Sequence, residues 1–382
     1  MKTPLITIGI ALSASGLALE AQAASFAGLN IYGDSLVDSG NLYNVTTALS
    51  TQGIPAIPPS PPYSRRASNG QLWIDQVAAA LNLSPALVSE LPLLPPGQLD
   101  AGSLSQGINY AFFGALSSAE HNLDDDIPPL SPFVLGFQEQ IAASVALAEI
   151  APVDPAALNI VWVGSNNYID AYFKNIFLGQ DFATEPSALP QQVTDDIAAG
   201  ISTLAGLGAE NFLVLNIPPL GDTPFARLLD QQAALLGNPA PSSQLNQLAE
   251  ANNTLLQPAL SRLEAASADL NITLFDVNQL FTQVTAQPAA FGLENVTDTC
   301  LLNFQPGSFQ FDGICDNPDS FFFWDNVHTT EATYRILSDA VLMKLSAASD
   351  AADVPEPGAI AALLLVGSAG LRGWRAFTDR LR

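Results

Sequence analysis

The sequence predicts a three-layer α/β/α sandwich around a central, mostly parallel sheet. Four short apolar runs are rich in β-branched and aromatic residues and nearly continuous rather than alternating. Such runs belong to strands covered on both faces. Between and after them lie stretches with apolar residues at three- and four-residue spacing, the mark of amphipathic helices. Alternating strands and helices imply βαβ units. Polar, glycine-containing segments follow the first two strands, at the carboxyl ends where such sheets bind ligands.

In chain order, the first strand is Phe26–Tyr32 (FAGLNIY), followed by Gly33-Asp34-Ser35. Helices are expected over Gln71–Asn82 and Phe133–Ile150. The second strand, Leu158–Val163 (LNIVWV), leads into Gly164-Ser165-Asn166-Asn167. A helix over Gln192–Leu207 connects to the third strand, Asn211–Ile217 (NFLVLNI). A helix over Ser243–Ala266 connects to the fourth, Ile272–Val277 (ITLFDV), and a last helix is expected over Thr330–Ala348. Two Pro-rich stretches, Ile54–Tyr63 and Leu91–Gly97, read as irregular surface loops. Residues 298–320 are polar, aromatic and long.

The 382 residues accommodate one large α/β domain with insertions, or two domains. A hydrophobic fraction of 48% against 13% charged supplies a large core and excludes wholesale disorder. Acids outnumber bases 37 to 12, a net charge of −25, which repels phosphate backbones and argues against nucleic-acid binding. Two cysteines exclude a disulfide-framework domain and a Cys-based zinc site. Two histidines, His121 and His328, cannot supply three imidazoles to a metal from one chain. No metal or organic cofactor is expected.

The ends of the chain read as addresses. Residues 1–23 have a basic start at Lys2, an apolar run and the small-x-small pattern Ala21-Gln22-Ala23. This is a secretory signal peptide, cut by signal peptidase at or near Ala23. The folded domain is then 24–350, outside the cytoplasm, where disulfides persist. At the other end, Val354-Pro355-Glu356-Pro357 precedes an apolar run of 14 residues, Gly358–Leu371, and then Arg372, Arg375, Arg380 and Arg382. In that order the parts resemble the PEP-CTERM sorting signal of Gram-negative bacteria, read by an exosortase-type transpeptidase. The resemblance implies transient anchoring in the inner membrane by residues 354–382. The final place would be the periplasm, the outer surface or the medium. A plain tail anchor is the alternative.

Five segments are candidates to carry chemistry. Ser35 directly follows a buried strand, where its hydroxyl and its own N–H can face one spot, although an isolated Gly-Asp-Ser triplet is more often a simple turn cap. His328 lies three residues after Asp325 in Phe323-Trp324-Asp325-Asn326-Val327-His328. That spacing lets the carboxylate reach Nδ1 and leaves Nε2 for a serine, the arrangement a serine nucleophile requires; a helix-capping histidine explains it equally well. His121, in His121-Asn122-Leu123-Asp124-Asp125-Asp126, reads as part of a solvated loop. An oxyanion needs fixed donors. Gly114, in Asn109-Tyr110-Ala111-Phe112-Phe113-Gly114-Ala115, offers an N–H, and Asn166 offers a side-chain amide.

Taken in chain order, the segments around Ser35, Gly114, Asn166 and Asp325–His328 together resemble the GDSL family of the SGNH hydrolase superfamily. Its pattern is Gly-Asp-Ser-Leu, Asn-(Phe/Tyr)-Ala-x-Gly-Gly-Ala, Gly-x-Asn-Asp and a terminal Asp-x-x-His. Ser68-Asn69-Gly70-Gln71-Leu72-Trp73-Ile74-Asp75 and Asn216-Ile217-Pro218-Pro219-Leu220-Gly221 match further, so the resemblance spans about 26–348. It implies a flavodoxin-like sandwich, Ser35 as nucleophile, His328 as base and Asp325 as its orienter. The oxyanion donors would be the N–H groups of Ser35 and Gly114 and the Asn166 side chain. Three positions depart from the pattern. Phe113 stands for a glycine and is expected to narrow the acyl site. Asn167 stands for an aspartate and is expected to alter loop support. Thr329 stands for a proline and is expected to start the final helix. The α/β-hydrolase pentapeptide Gly-x-Ser-x-Gly is absent around Ser35, where Val37 fills the second glycine position.

The expected activity is exported serine esterase or lipase, acting on a lipid, a short acyl ester or an acetylated sugar through an acyl-enzyme. The alternatives are a polysaccharide O-acetylesterase and a non-enzymatic anchored surface protein on a hydrolase scaffold. In an oxidising compartment Cys300 and Cys315 are expected to pair, closing a segment too rich in Asn, Asp, Gly and Pro to hold itself by helix or strand. Two buried free thiols are the alternative.

Overall fold

The computed structural model describes residues 26–353, apart from 94–101, 103, 124–129, 131–132 and 306–307. The expected signal peptide and sorting segment lie outside the described residues. Two units are distinguished: residues 25–344, which hold the sheet, and the chain ends, 1–24 and 345–382. Of the ends, only the helical stretch 345–353 is described.

The elements follow in chain order. They are β1 (Leu29–Gly33), α1 (Asn41–Ala48), α2 (Trp73–Ala80), β2 (Ala86–Leu87), β3 (Ile108–Asn109) and α3 (Phe137–Ala148). Next come β4 (Leu158–Trp162), α4 (Ser165–Leu178), α5 (Leu189–Gly206), β5 (Asn211–Leu215), α6 (Pro224–Leu236) and α7 (Pro241–Ala266). The last are β6 (Asn271–Phe275), α8 (Val277–Ala286), β7 (Asn295–Thr299), β8 (Leu301–Leu302), β9 (Gly313–Ile314), β10 (Phe321–Phe323) and α9 (Glu331–Asp353).

Six strands form one parallel sheet in the order β2-β3-β1-β4-β5-β6. Without the two-residue edge strand β2, this is the flavodoxin-like order, and the expected α/β sandwich is borne out. The order reverses at β1, which lies between β3 and β4. That switch point leaves a crevice beyond the carboxyl ends of β1 and β4, where Ser35 and Asn166 follow. The two strands run in register from Leu29 opposite Leu158 to Gly33 opposite Trp162.

Alternate side chains of the strands point to opposite faces. Tyr32, Val161, Phe212 and Val214 pack in one cluster with Phe137 and Ile141 of α3, Val193 and Ile197 of α5, and Leu245 of α7. Trp162 points the other way and meets Trp73 of α2 edge-on, with ring centroids 5.9 Å apart. All five residues of β4 are buried, which explains its unbroken apolar run.

Two expectations about exposure need correction. The stretch Ile54–Tyr63 is irregular, but Ile54, Ile57 and Tyr63 are buried. Proline excludes regular pairing, not burial, and apolar residues between prolines still leave water. His121 does not sit in a solvated loop. It is 5% exposed, and its backbone bridges Ala115.

Candidate active site

Ser35 sits in a tight turn at the end of β1. The Asp34 carbonyl accepts from the N–H groups of Val37 and Asp38, and Asp34 Oδ1 accepts from Leu36 N–H at 3.0 Å. A side chain at Gly33 would run into the Trp162 carbonyl, and φ there is +152°, so only glycine joins the strand to this turn. Gln140 of α3 clamps Gly33 from both sides: its amide donates to the Gly33 carbonyl and its oxygen accepts the Gly33 N–H, each at 2.8 Å. Trp73 Nε1 donates to the Leu36 carbonyl at 3.1 Å.

His328 is brought to Ser35 by the turn after β10. Nε2 lies 2.9 Å from Ser35 Oγ. Nδ1 lies 2.8 Å from Asp325 Oδ2 and 3.0 Å from Oδ1, so Nδ1–H donates to the carboxylate and Nε2 accepts the serine proton. Ser35, His328 and Asp325 are 5%, 6% and 2% exposed. Asp325 Oδ1 also accepts the N–H groups of Val327 and His328, at 2.9 and 2.8 Å, which folds the Asp-x-x-His turn around the carboxylate. The Tyr63 hydroxyl donates to Oδ2 at 2.6 Å. Burial pushes the Asp325 carboxyl up, but the His328 charge and the donors around it hold it below the ordinary carboxylate value.

After His328, Ser68 Oγ donates to the Thr329 carbonyl at 2.9 Å and Asn69 Oδ1 accepts the Glu331 N–H at 2.8 Å. The hydroxyl that caps the last helix is that of Thr330, which accepts from Thr333 N–H, not that of Thr329. The chain must complete the turn around Asp325 before it can become helical.

Asn166 is the second residue of α4, which begins directly after Gly164. Its amide donates one proton to the Ala115 carbonyl at 3.0 Å and carries a second. Gly114 is the residue before Ala115, with φ +85°, beside Asn122, whose N–H donates to the Gly114 carbonyl at 2.9 Å. Asn167 binds Ser117 twice, accepting its N–H at 3.0 Å and donating to its hydroxyl at 3.1 Å, so this side chain holds the loop that carries Gly114.

Three buried polar residues, Asp38, Asn41 and Asn109, none given a role by sequence, tie the serine turn to that loop. Asp38 accepts the N–H groups of Gly40 and Phe113 at 2.8 and 2.9 Å. Asn41 donates to the carbonyls of Asn109 and Ala111, both at 2.9 Å. Asn109 donates to the Val37 carbonyl at 2.8 Å. Burial pushes the Asp38 carboxyl up against these donors, and it pushes the Asp34 carboxyl up to about 7 against the Leu36 N–H and His328.

Ser35, Asn166 and His328 open on one cavity of about 50 Å³, whose other walls include Ile169, Leu220, Phe281, Phe322 and Val327. One water needs roughly 10–15 Å³ of such space, so a short acyl or alkyl group fits. Phe113 and Gly114 are not among its walls. The Phe113 ring lies against the His328 ring, 5.1 Å between centroids, and 6.5 Å from Phe309.

Cys300 and Cys315 are joined by a disulfide, with Cα atoms 4.8 Å apart. The closed segment does hold strand structure, contrary to expectation: β8 and β9 pair antiparallel, Leu301 opposite Ile314. The Cys300 N–H donates to the Phe323 carbonyl at 3.0 Å and Leu301 N–H to the Trp324 carbonyl at 2.9 Å, so the hairpin grips the strand that delivers Asp325. Closing a loop of this length is worth about 3 kcal/mol on a chain-entropy model. Reduction is expected to expose 299–320 to protease and to lower ester hydrolysis before global unfolding. Limited proteolysis with mass mapping checks this, and a reduced protein with unchanged resistance and activity would refute it.

The sequence profile of the GDSL-like Lipase/Acylhydrolase family matches residues 31–341. A GDSL esterase/lipase of Arabidopsis thaliana is 30% identical over 343 residues, covering 82% of this chain and 88% of the relative. A second GDSL esterase/lipase of that plant is 27% identical over 353 residues, covering 85% of this chain and 86% of the relative. A third is 26% identical, over 81% and 88%. The profile covers every segment of the site, from the end of β1 to α9, and the chain belongs to the GDSL-like lipase/acylhydrolase family, a family of ester hydrolases.

Proposed function

We propose that the protein is an exported serine esterase for carboxylic esters with a small apolar group. The observation that carries this reading is the hydrogen-bonded chain from Ser35 Oγ through His328 to Asp325, opening on an apolar cavity beside Asn166. Ser35 Oγ attacks the ester carbonyl while His328 Nε2 takes its proton. The carbonyl oxygen becomes an oxyanion, met by the Asn166 amide and the Ser35 N–H on the cavity wall, with the Gly114 N–H, on the loop that Asn166 and Asn167 hold, as the third donor the family pattern implies. The intermediate collapses, His328 protonates the leaving alcohol, and the acyl group stays on Ser35. Water then gives its proton to His328 and attacks the acyl carbon, and the second intermediate collapses to release the acid as His328 returns the proton to Ser35 Oγ. Asp325 keeps its charge throughout and stabilises the imidazolium.

A fluorophosphonate probe tests the reading, since it phosphonylates an activated serine. Intact-mass analysis should find one adduct, on Ser35, and no adduct would overturn it. A panel of short acyl, long acyl and acetylated-sugar esters then sets the substrate class. A second reading within the same chemistry, removal of acetyl groups from a polysaccharide, also places a short acyl group in this cavity.

Export rests on residues 1–23, with signal peptidase and an exosortase-type enzyme as the partners that process the two ends. In the native host, the mature protein should begin near residue 24 and lack part of 354–382. An N-terminus at Met1 in the mature protein, read by mass spectrometry, would refute export.

A further inference from the structure

We propose that Tyr63 is a positioning residue of this centre, holding the Asp325 carboxylate in the orientation in which it grips His328. The inference rests on the esterase reading above. Tyr63 donates to Oδ2 at 2.6 Å, and Oδ2 is also the nearer acceptor of His328 Nδ1, at 2.8 Å. The turn around Asp325 supplies its backbone donors to Oδ1. The hydroxyl thus completes the second oxygen, from a segment 262 positions away in sequence.

The ring is held as firmly as the hydroxyl. Trp324 and Phe309 meet it edge-on, at 6.2 and 5.7 Å between centroids. Trp324 is the neighbour of Asp325, and Phe309 belongs to the disulfide-closed hairpin. A buried tyrosine whose only task was packing could be phenylalanine. Here the hydroxyl adds a short hydrogen bond to a charged acceptor, the strongest kind this site could recruit.

A donor at Oδ2 withdraws charge from the carboxylate. Without it the carboxylate is more basic, holds the imidazolium more tightly and can rotate about its bond to Cβ. Deprotonating His328 for catalysis then requires higher pH, and the imidazole is less well aimed. The other groups facing this cluster stay in place when Tyr63 changes. They are Asp34, which faces His328, Asp38 behind it, and Tyr334, which faces both Asp325 and Asp34 and is itself near Asp75.

Tyr63→Phe keeps the ring and removes the donor. With p-nitrophenyl acetate as substrate, we expect kcat to fall roughly tenfold and KM to change less than about twofold. The acid limb of kcat/KM should rise by roughly half a pH unit or more. In an Asp325→Asn background the same change should alter kcat by less than about twofold, because the group it acts through is gone. A merely structural tyrosine would lower kcat equally in both backgrounds and leave the pH limb where it is; either result overturns the proposal, as does full activity in Tyr63→Phe. Failure of the esterase reading is separate: it would show as a wild-type protein that neither hydrolyses the ester nor takes the fluorophosphonate.

Discussion

Ser35→Ala is expected to abolish ester hydrolysis, with a loss of at least about 10⁴ in kcat, while the protein stays folded. The side chain makes one hydrogen bond, to His328 Nε2, and its turn is held by backbone bonds and by Gln140 and Trp73. Its removal costs stability of about 1 kcal/mol, the worth of one ordinary hydrogen bond. His328→Ala should lose nearly as much activity, since a serine without its base stays protonated. Asp325→Asn should lose less than either, because an orienter acts through another group. Initial rates with p-nitrophenyl acetate, beside thermal unfolding of each variant, check the series. Full activity in Ser35→Ala would sink the mechanism.

The parts of this centre differ in how far sequence alone could reach them. Asp325 and His328 are three residues apart, so a turn suffices to join them, and local spacing carries that information. Three of the four long strands of the parallel sheet, β1, β4 and β5, are legible because they are buried on both faces and therefore apolar at nearly every position, while β6, the half-exposed edge strand, is marked by Ile272, Leu274 and Phe275. Their observed ends fall close to the expected ones: Leu158–Trp162 for Leu158–Val163, and Asn211–Leu215 for Asn211–Ile217. The two-residue strands β2 and β3, Ala86–Leu87 and Ile108–Asn109, were out of reach, since two residues carry no period. So was α4, which opens on Ser165-Asn166-Asn167, residues that favour turns and caps over helix interiors. It is helical because Gly164 supplies the sharp entry and because Tyr168 and Tyr172 bury one face.

Contacts across long separations leave no local trace. Tyr63 reaches Asp325 from a proline-rich stretch whose composition signals irregular backbone and is silent on burial. Asp38, Asn41 and Asn109 show only as polar letters near a motif. Their value lies in carbonyls and N–H groups about 70 positions distant that would otherwise be buried without partners. A buried polar residue in a loop is the one sequence cue, and burial itself must come from the fold.

Asn166→Ala is the second large effect expected, roughly 10²–10³ lost in kcat with KM little changed. The side chain stands at the start of α4, on the wall of the cavity that Ser35 and His328 share. One amide proton is engaged by the Ala115 carbonyl at 3.0 Å, which fixes the amide plane before any substrate arrives. The second proton is then pre-aimed, and no reorganisation is needed when charge develops on the carbonyl oxygen. A neutral ester oxygen gains little from it and an oxyanion gains much, so the loss falls on turnover rather than binding. The same substitution removes the bond to Ala115, part of the loop that carries Gly114, so thermal unfolding should drop modestly as well. Phosphonylation of Ser35 builds up negative charge on a phosphoryl oxygen, and its rate should fall in parallel with kcat. A variant with raised KM, unchanged kcat and an unchanged labelling rate would move Asn166 out of the oxyanion site and leave the stabilisation to the backbone N–H groups of Ser35 and Gly114.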